Sequence, residues 1–226
     1  MKRIVLVMLV LELSFSAQIA QAQWDPTKRL TTNAGHSRYP AIAIDSANTI
    51  HVVWSDTTPG NYEIYYKRST DGGATWGGTK RLTTNAGSSY DPAIAIDSAD
   101  TIHVVWYDYT PGNAEIYYKR STDGGATWGG NNRLTWNLGY SYFPAIAIDS
   151  ADTIHVVWFD DTPGNFEIYY KRSTDGGATW GGNNRLTWTA GNSYSPALAI
   201  DSADTIHVVW YDYTPGNAEI YYRNGK

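Results

Sequence analysis

An internal repeat of 52 residues is the strongest constraint on the fold of this chain. The tripeptide Arg-Leu-Thr begins at Arg29, Arg81, Arg133 and Arg185, and a proline, a histidine and a tryptophan return at the same interval. Repeats of this length are single supersecondary units that bury a shared core only when they stack on their neighbours. The sequence therefore predicts an array of four similar units.

Each repeat contains four short stretches typical of β-strands. In the second repeat these are residues 93–97, 101–108, 115–120 and 128–135, which are rich in Ile, Val, Tyr and Trp and bounded by Asp, Gly, Pro and Asn. Residues 110–113, Thr-Pro-Gly-Asn, suit a type II turn. Four strands in about 50 residues are typical of one β-propeller blade. We predict an all-β fold, a β-propeller of four blades.

The two ends of the repeat array predict how the propeller closes. Residues 24–29 align with residues 76–81 of a fourth strand, whereas the last repeat stops after its third strand, residues 219–223. An N-terminal strand that completes the last blade would close the ring and remove its exposed edges. Two alternatives stay open at this point: a fragment of a longer array, and one half of an eight-bladed dimer.

The first 22 residues predict an export signal. Lys2 and Arg3 precede an apolar run, and Ala20-Gln21-Ala22 matches a signal-peptidase pattern. The run is about half of the roughly 20 residues that span a bilayer, so an uncleaved anchor is the less favoured alternative. We expect a signal peptide at 1–22, a single propeller domain at 23–226, and a secreted or periplasmic product without membrane insertion after cleavage near Ala22.

Composition excludes several classes of function. The chain has no cysteine, which excludes disulfides, thiol catalysis and cysteine-based zinc sites. Its net charge is -5 and its basic residues are scattered, so we expect no nucleic-acid partner. Each repeat has one histidine on its second predicted strand, and these strands lie away from a propeller axis. We therefore expect histidines satisfied between blades, with no metal and no cofactor.

One octapeptide, Ser-Thr-Asp-Gly-Gly-Ala-Thr-Trp, occurs unchanged at 69–76, 121–128 and 173–180. Its Ser and Asp can accept hydrogen bonds from turn N–H groups, its glycines permit positive φ, and its Trp can anchor the hairpin. A calcium loop at Asp71 or at residues 97–100 is less favoured because dense oxygen ligands are missing. The structural residues expected in these loops are Ser69, Asp71, Gly73, Thr75, Trp76, Ser121, Asp123, Gly125, Thr127, Trp128, Ser173, Asp175, Gly177, Thr179 and Trp180.

The octapeptide matches S-x-D-x-G-x-T-W and resembles the Asp box, or BNR repeat, of the sialidase (neuraminidase) superfamily. The resemblance implies a propeller, usually with six blades, and an active site with three arginines, a Tyr/Glu pair and an Asp acid/base. Arg38-Tyr39-Pro40 resembles the family's R-I-P motif, and Arg38 and Asp91 are the candidate catalytic residues. Two further unique arginines and a unique Tyr/Glu pair are missing, so an exo-sialidase is the alternative and not the first expectation.

Differences between the repeats are concentrated on one predicted face. The loops at 33–39, 85–91, 137–143 and 189–195 vary, while the turns on the other face hardly change. A fixed scaffold with variable loops favours a binding surface, although drift explains the pattern equally well. The candidate ligand-binding residues are Arg38, Tyr62, Tyr90, Tyr109, Trp136, Tyr140, Tyr142, Phe166, Trp188, Tyr194 and Tyr213.

Sugar rings stack on aromatic side chains, but aromatic side chains also pack on one another. Our first hypothesis is a noncatalytic binding module for a glycan or a cell-surface protein. The alternatives are a glycosidase of sialidase type and a purely structural repeat domain of a surface protein.

Overall fold

The computed structural model describes residues 24–226, and all its regular structure is β. The predicted signal peptide lies outside the described residues. The chain divides into two compact units, Met1–Leu30 and Thr31–Lys226, and every assigned strand belongs to the second. No helix long and apolar enough to cross a membrane occurs in the described part.

Four antiparallel sheets follow one another along the chain, one per repeat. Sheet 1 contains β1 (Ser37–Ile44), β2 (Ile50–Asp56), β3 (Glu63–Ser69) and β4 (Lys80–Arg81). Sheet 2 contains β5 (Ser89–Ile96), β6 (Ile102–Asp108), β7 (Glu115–Ser121) and β8 (Asn132–Arg133). Sheet 3 contains β9 (Ser141–Ile148), β10 (Ile154–Asp160), β11 (Glu167–Ser173) and β12 (Asn184–Arg185). Sheet 4 contains β13 (Ser193–Ile200), β14 (Ile206–Asp212) and β15 (Glu219–Gly225).

The predicted blade pattern is confirmed, with two local corrections. The fourth strand of the second repeat is only Asn132–Arg133, because the octapeptide and the residues after it form a loop from 122 to 131. The hairpin turn begins at Tyr109, whose carbonyl accepts from Gly112 N–H at 3.0 Å, one residue before the predicted start. Gly112 has the expected positive φ, at 102°.

Apolar side chains alternate along each strand and give every sheet two packing faces. We call the front face of a sheet the one that meets the following sheet, and the back face the one that meets the preceding sheet. At the boundary of sheets 2 and 3, front-face Val105 and Ile116 pack with back-face Val156 and Trp158, and all four are buried. Burying each such side chain stabilises the fold by about 1.5–3 kcal/mol. Equivalent residues form the other two boundaries.

The same strand geometry recurs at all three boundaries. The first strand of each sheet lies across the strands of the preceding sheet, as β5 does on β1, β2 and β3. Among the described strands, β1 has no packing of this kind on β13, β14 or β15. Residues 24–30 carry no assigned strand. Closure of the ring by an N-terminal strand therefore stays a prediction.

The octapeptide loops are held by the hydrogen bonds that their side chains predict. Gly73 N–H donates to Ser69 Oγ at 2.9 Å, and Thr75 N–H donates to Asp71 Oδ1 at 2.8 Å. The Thr75 hydroxyl also donates to Asp71, and these hydrogen bonds lower the pKa of that carboxyl to about 2. The same contacts recur in the second and third loops.

Each of the second and third loops also docks on the preceding sheet. The Trp128 ring meets Tyr66 edge-on, with 5.1 Å between ring centroids, and Lys80 Nζ donates to the Gly125 carbonyl at 2.8 Å. The predicted Trp anchor is therefore present, but this Trp contacts the neighbouring sheet. The loop joins two blades as well as two strands.

Candidate ligand-binding site

One aspartate per sheet fixes the variable loops at the end of the second strand. Asp56 accepts hydrogen bonds from Ser37 Oγ at 2.6 Å, Asn33 Nδ2 at 2.6 Å and Thr58 N–H at 2.8 Å. Burial acts to raise the pKa of Asp56, but these hydrogen bonds hold it at about 2. The ionised carboxylate thus joins the loop before β1 to the hairpin after β2. This contact places both variable segments on one face, as the sequence predicts.

A β-bulge near the start of each first strand turns one variable side chain out of the ladder. The register shifts between Arg38 and Ala41 in sheet 1, and equivalent shifts occur in the other three sheets. The bulged residues adopt positive φ values although none is glycine. These residues are Tyr39 (54°), Asp91 (47°), Phe143 (49°) and Ser195 (48°). Such backbone costs about 1 kcal/mol per residue, and bulges of this kind are frequent beside functional sites.

The four bulged residues and the prolines that follow them line one cavity of about 320 Å³. The lining dipeptides are Tyr39-Pro40, Asp91-Pro92, Phe143-Pro144 and Ser195-Pro196. Every sheet therefore contributes one variable side chain and one constant proline. A concave site with apolar walls and a few polar groups is typical of small-ligand binding.

Asp91 is the one carboxylate among the described residues that line this cavity. Burial raises its pKa to about 6, although a hydrogen bond with the Tyr107 side chain acts in the opposite direction. Its Oδ2 atom is buried and has no hydrogen-bond partner within the described chain. The same surroundings raise the pKa of Tyr107, chiefly through burial. Asp91 can therefore offer a ligand either a donor or an acceptor near neutral pH.

Aromatic rings from all four sheets form a continuous row beside the cavity. Tyr90 contacts Tyr62 of the preceding sheet at 4.6 Å between centroids and Tyr109 of its own sheet at 6.1 Å. Tyr142 contacts Tyr109 at 6.3 Å and Phe166 at 6.2 Å. The row then continues through two further tyrosines to the last sheet, Tyr194 and Tyr213. These seven rings, all among the candidate ligand-binding residues, pack on one another.

Three further candidate rings are exposed. Tyr140 stacks on Tyr142 with an interplanar angle of 2° and is 41% exposed. Trp136 and Trp188 are 68% and 66% exposed. The guanidinium carbon of Arg133 lies 5.7 Å from the centre of the Trp136 ring, and that of Arg185 lies 5.8 Å from the centre of the Trp188 ring. No aromatic contact between these two tryptophans and the row occurs in the described part of the chain. They form separate exposed platforms.

The structure separates the predicted candidates into three groups: two residues at or beside the cavity, the aromatic row, and the exposed rings of Trp136, Tyr140 and Trp188. Asp91 lies in the cavity, and Arg38 is exposed one residue before the lining residue Tyr39. The aromatic row mainly packs on itself. Sequence reasoning missed Tyr39, Phe143 and Ser195 as lining residues. The signal that could have found them is variation directly before an invariant proline.

Comparisons with known proteins identify the fold. No family model matches the chain, and no curated protein matches it. Among solved structures, the GH93 α-L-arabinofuranosidase of Fusarium graminearum superposes with a TM-score of 0.67 at 17% identity, over 84% of this chain and 62% of that one. The Hadza microbial sialidase Hz136 superposes with a TM-score of 0.65 at 16% identity, over 83% of this chain and 44% of that one.

A third similar structure is the intramolecular trans-sialidase from Ruminococcus gnavus, with a TM-score of 0.65 at 10% identity, over 84% of this chain and 68% of that one. This chain spans less than two thirds of the length of the sialidase and of the arabinofuranosidase. Likeness at such identity concerns the fold. Within the part of the chain that they cover, these comparisons show that the protein has the sialidase-like β-propeller fold.

Proposed function

We propose that this protein is a noncatalytic carbohydrate-binding propeller that holds a neutral sugar in the cavity between its four sheets. The observation that carries the proposal is the cavity lining: two aromatic rings, one serine hydroxyl and one carboxylate. Aromatic faces stack on sugar rings, and hydroxyl and carboxyl groups pair with sugar hydroxyls. The octapeptide loops, which resemble Asp boxes, serve as the scaffold that joins the sheets.

The lining favours binding over hydrolysis. Ordinary glycosidases need two carboxyl groups beside the glycosidic bond, whereas Asp91 is the only one among the described lining residues. A sialic acid ligand would bring its own negative charge close to Asp91, and no arginine is found among those lining residues to compensate it. These charges support a neutral sugar as the ligand.

A panel of immobilised neutral and sialylated oligosaccharides tests the proposal. We expect binding to neutral members and a loss of about tenfold in Phe143→Ala and in Tyr39→Ala, since one aromatic stacking contact contributes about 1–1.5 kcal/mol. Leu138→Ala is the matched control, because Leu138 is fully exposed in a neighbouring variable loop. Absence of binding to every neutral sugar, or binding that Phe143→Ala leaves intact, would refute the proposal.

The alternative function, a glycosidase of sialidase type, is favoured by one observation, the raised pKa of Asp91 at about 6. A group of this kind can act as a general acid. Fluorogenic sialoside and arabinofuranoside substrates separate the two functions. Turnover that disappears in Asp91→Asn and in Arg38→Ala would establish the enzyme and refute the noncatalytic role.

Export is part of the same proposal. We expect the signal at residues 1–22 to direct the chain to the periplasm or the medium, where glycans or cell-surface proteins are its partners. N-terminal sequencing of the exported protein should begin at Gln23. A product that retains Met1 would contradict the predicted cleavage.

A further inference from the structure

The front face of sheet 4 is exposed, whereas the equivalent residues of the other sheets are buried or part-buried. Ile220 and Tyr222 are 75% and 55% exposed, whereas the equivalent Ile116 and Tyr118 are 0% and 2% exposed. Val209 on the same face is 40% exposed. The side chains are identical, so the difference comes from the missing neighbour. This face has the shape and chemistry of a blade boundary with one side unoccupied.

Sheet 1 has the corresponding opposite surface. Ile42 and Ile44 on β1 are 63% and 58% exposed, whereas their equivalents Ile94 and Ile96 on β5 are part-buried against sheet 1. Val52, which lies on β2, is already buried. The free part of this back face is therefore β1, whose equivalents β5, β9 and β13 pack, together with the second strands, on the preceding sheet at the interior boundaries.

We propose that β1 of a second copy of this chain docks across β13, β14 and β15. The three interior boundaries show how these surfaces fit, because β5, β9 and β13 each lie across the strands of the sheet before them. The free face of β1 presents the same isoleucines that β5 presents, and sheet 4 presents the same Val, Ile and Tyr that sheet 1 presents. A second copy thus repeats an established contact.

Polar contacts at the rim agree with this docking. Asp100 accepts hydrogen bonds from Ser46 N–H at 2.8 Å and from Ser46 Oγ at 2.6 Å across the boundary of sheets 1 and 2. At the free boundary the equivalent residues are Ser202 on sheet 4 and Asn48 on sheet 1, and both are exposed. Asn48 has a φ of 62°, close to the 59° of Asp100, and its amide oxygen can accept from the Ser202 N–H.

The contact joins two different surfaces, so it is head-to-tail. Such contacts give a closed ring when the rotation permits and a growing chain when it does not. Two copies are the smallest ring, with eight sheets and two identical contacts. Either product has a mass at least twice that of one copy.

Light scattering during size-exclusion chromatography tests the assembly. The chain of 226 residues has a mass of 25.1 kDa before any cleavage, and we expect about twice the mass of the purified single copy or more at micromolar concentrations. Single-copy mass at every concentration would overturn the proposal, because the free faces would then close within one chain or bind something else.

Charge substitutions identify the faces. Ile42→Glu and Ile220→Glu should each prevent self-association, since each removes one partner of the contact. Mixing the two variants should restore a complex of two copies and no larger species, because each variant keeps one intact face. Leu138→Glu is the control and should assemble as the unaltered chain does.

The mixing experiment also excludes a symmetric interface. If sheet 1 paired with sheet 1, Ile220→Glu would still assemble alone, and this outcome would overturn the head-to-tail contact. Circular dichroism of each variant checks the fold. Ser202→Pro provides a second probe, since it removes the rim N–H without placing a charge on the apolar face, and it should weaken association.

Discussion

The Tyr118 hydroxyl lies within hydrogen-bond distance of Nδ1 of His103, at 2.8 Å, inside the boundary between sheets 2 and 3. Nε2 of the same imidazole lies 3.0 Å from the Asp97 carboxylate, which can only accept, so Nε2 carries the proton. Burial lowers the pKa of His103, although the hydrogen bond with Asp97 acts to raise it. The predicted role of this histidine, satisfied between blades, is confirmed by these contacts.

Tyr118→Phe should lower the melting temperature by roughly 3–6 °C, because loss of the hydroxyl leaves Nδ1 of a buried imidazole unpaired at a cost of about 1–2 kcal/mol. Thermal unfolding at low protein concentration measures the change. Tyr222→Phe is the control, since Tyr222 makes the same contact with His207 at 2.8 Å but is 55% exposed. An equal fall in melting temperature in both variants would contradict the claim that the effect depends on burial of the tyrosine.

Gly125→Ala should be far more damaging than Gly72→Ala. A Cβ at Gly125 would overlap the Tyr66 hydroxyl, which is buried and bound to His51. A Cβ at Gly72 meets no atom within 4 Å, and both glycines have positive φ. We expect Gly72→Ala to lower the free energy of unfolding by about 1 kcal/mol through backbone strain, and Gly125→Ala to lower it by at least about 3 kcal/mol. Urea unfolding compares the two, and similar losses would disprove the loop docking.

Asp91→Asn should stabilise the protein above pH 6 and have no effect below about pH 4. The folded pKa of Asp91, about 6, lies above its unfolded value of 3.8, so its contribution is favourable at low pH and is lost as the pH rises through 6. Allowing for partial exposure, we expect the free energy of unfolding of Asp91→Asn to exceed that of the unaltered chain by on the order of 1–2 kcal/mol at pH 8. Melting temperatures across this pH range measure it, and a gain that does not vary with pH would contradict the titration.

Asp56→Asn should destabilise the protein at pH 7, and its difference from the unaltered chain should shrink between pH 4 and pH 2. The folded pKa of Asp56, about 2, lies below its unfolded value, so its contribution is present above pH 4 and lost as the pH falls towards 2. Calorimetry over this range measures the difference. Asp25→Asn, at an exposed position outside the strands, is the control and should leave the stability at pH 7 unchanged.

Sequence alone determined the repeat, the number of sheets and the octapeptide loops. These follow from local chemistry: the hydrogen bonds of Asp71 and Ser69 join residues at most four positions apart, and strand alternation is visible in any single repeat. It also determined which face varies.

Only the tertiary structure decided which variable residues form the cavity. Tyr39, Asp91, Phe143 and Ser195 are distant in sequence, and they converge because each sheet has a bulge at the same place. The structure also distinguished identical residues, since Tyr118 is buried and Tyr222 is exposed. Burial depends on the neighbouring sheet and not on the residue itself, so repetition in the sequence could not show where the array lacks a neighbour.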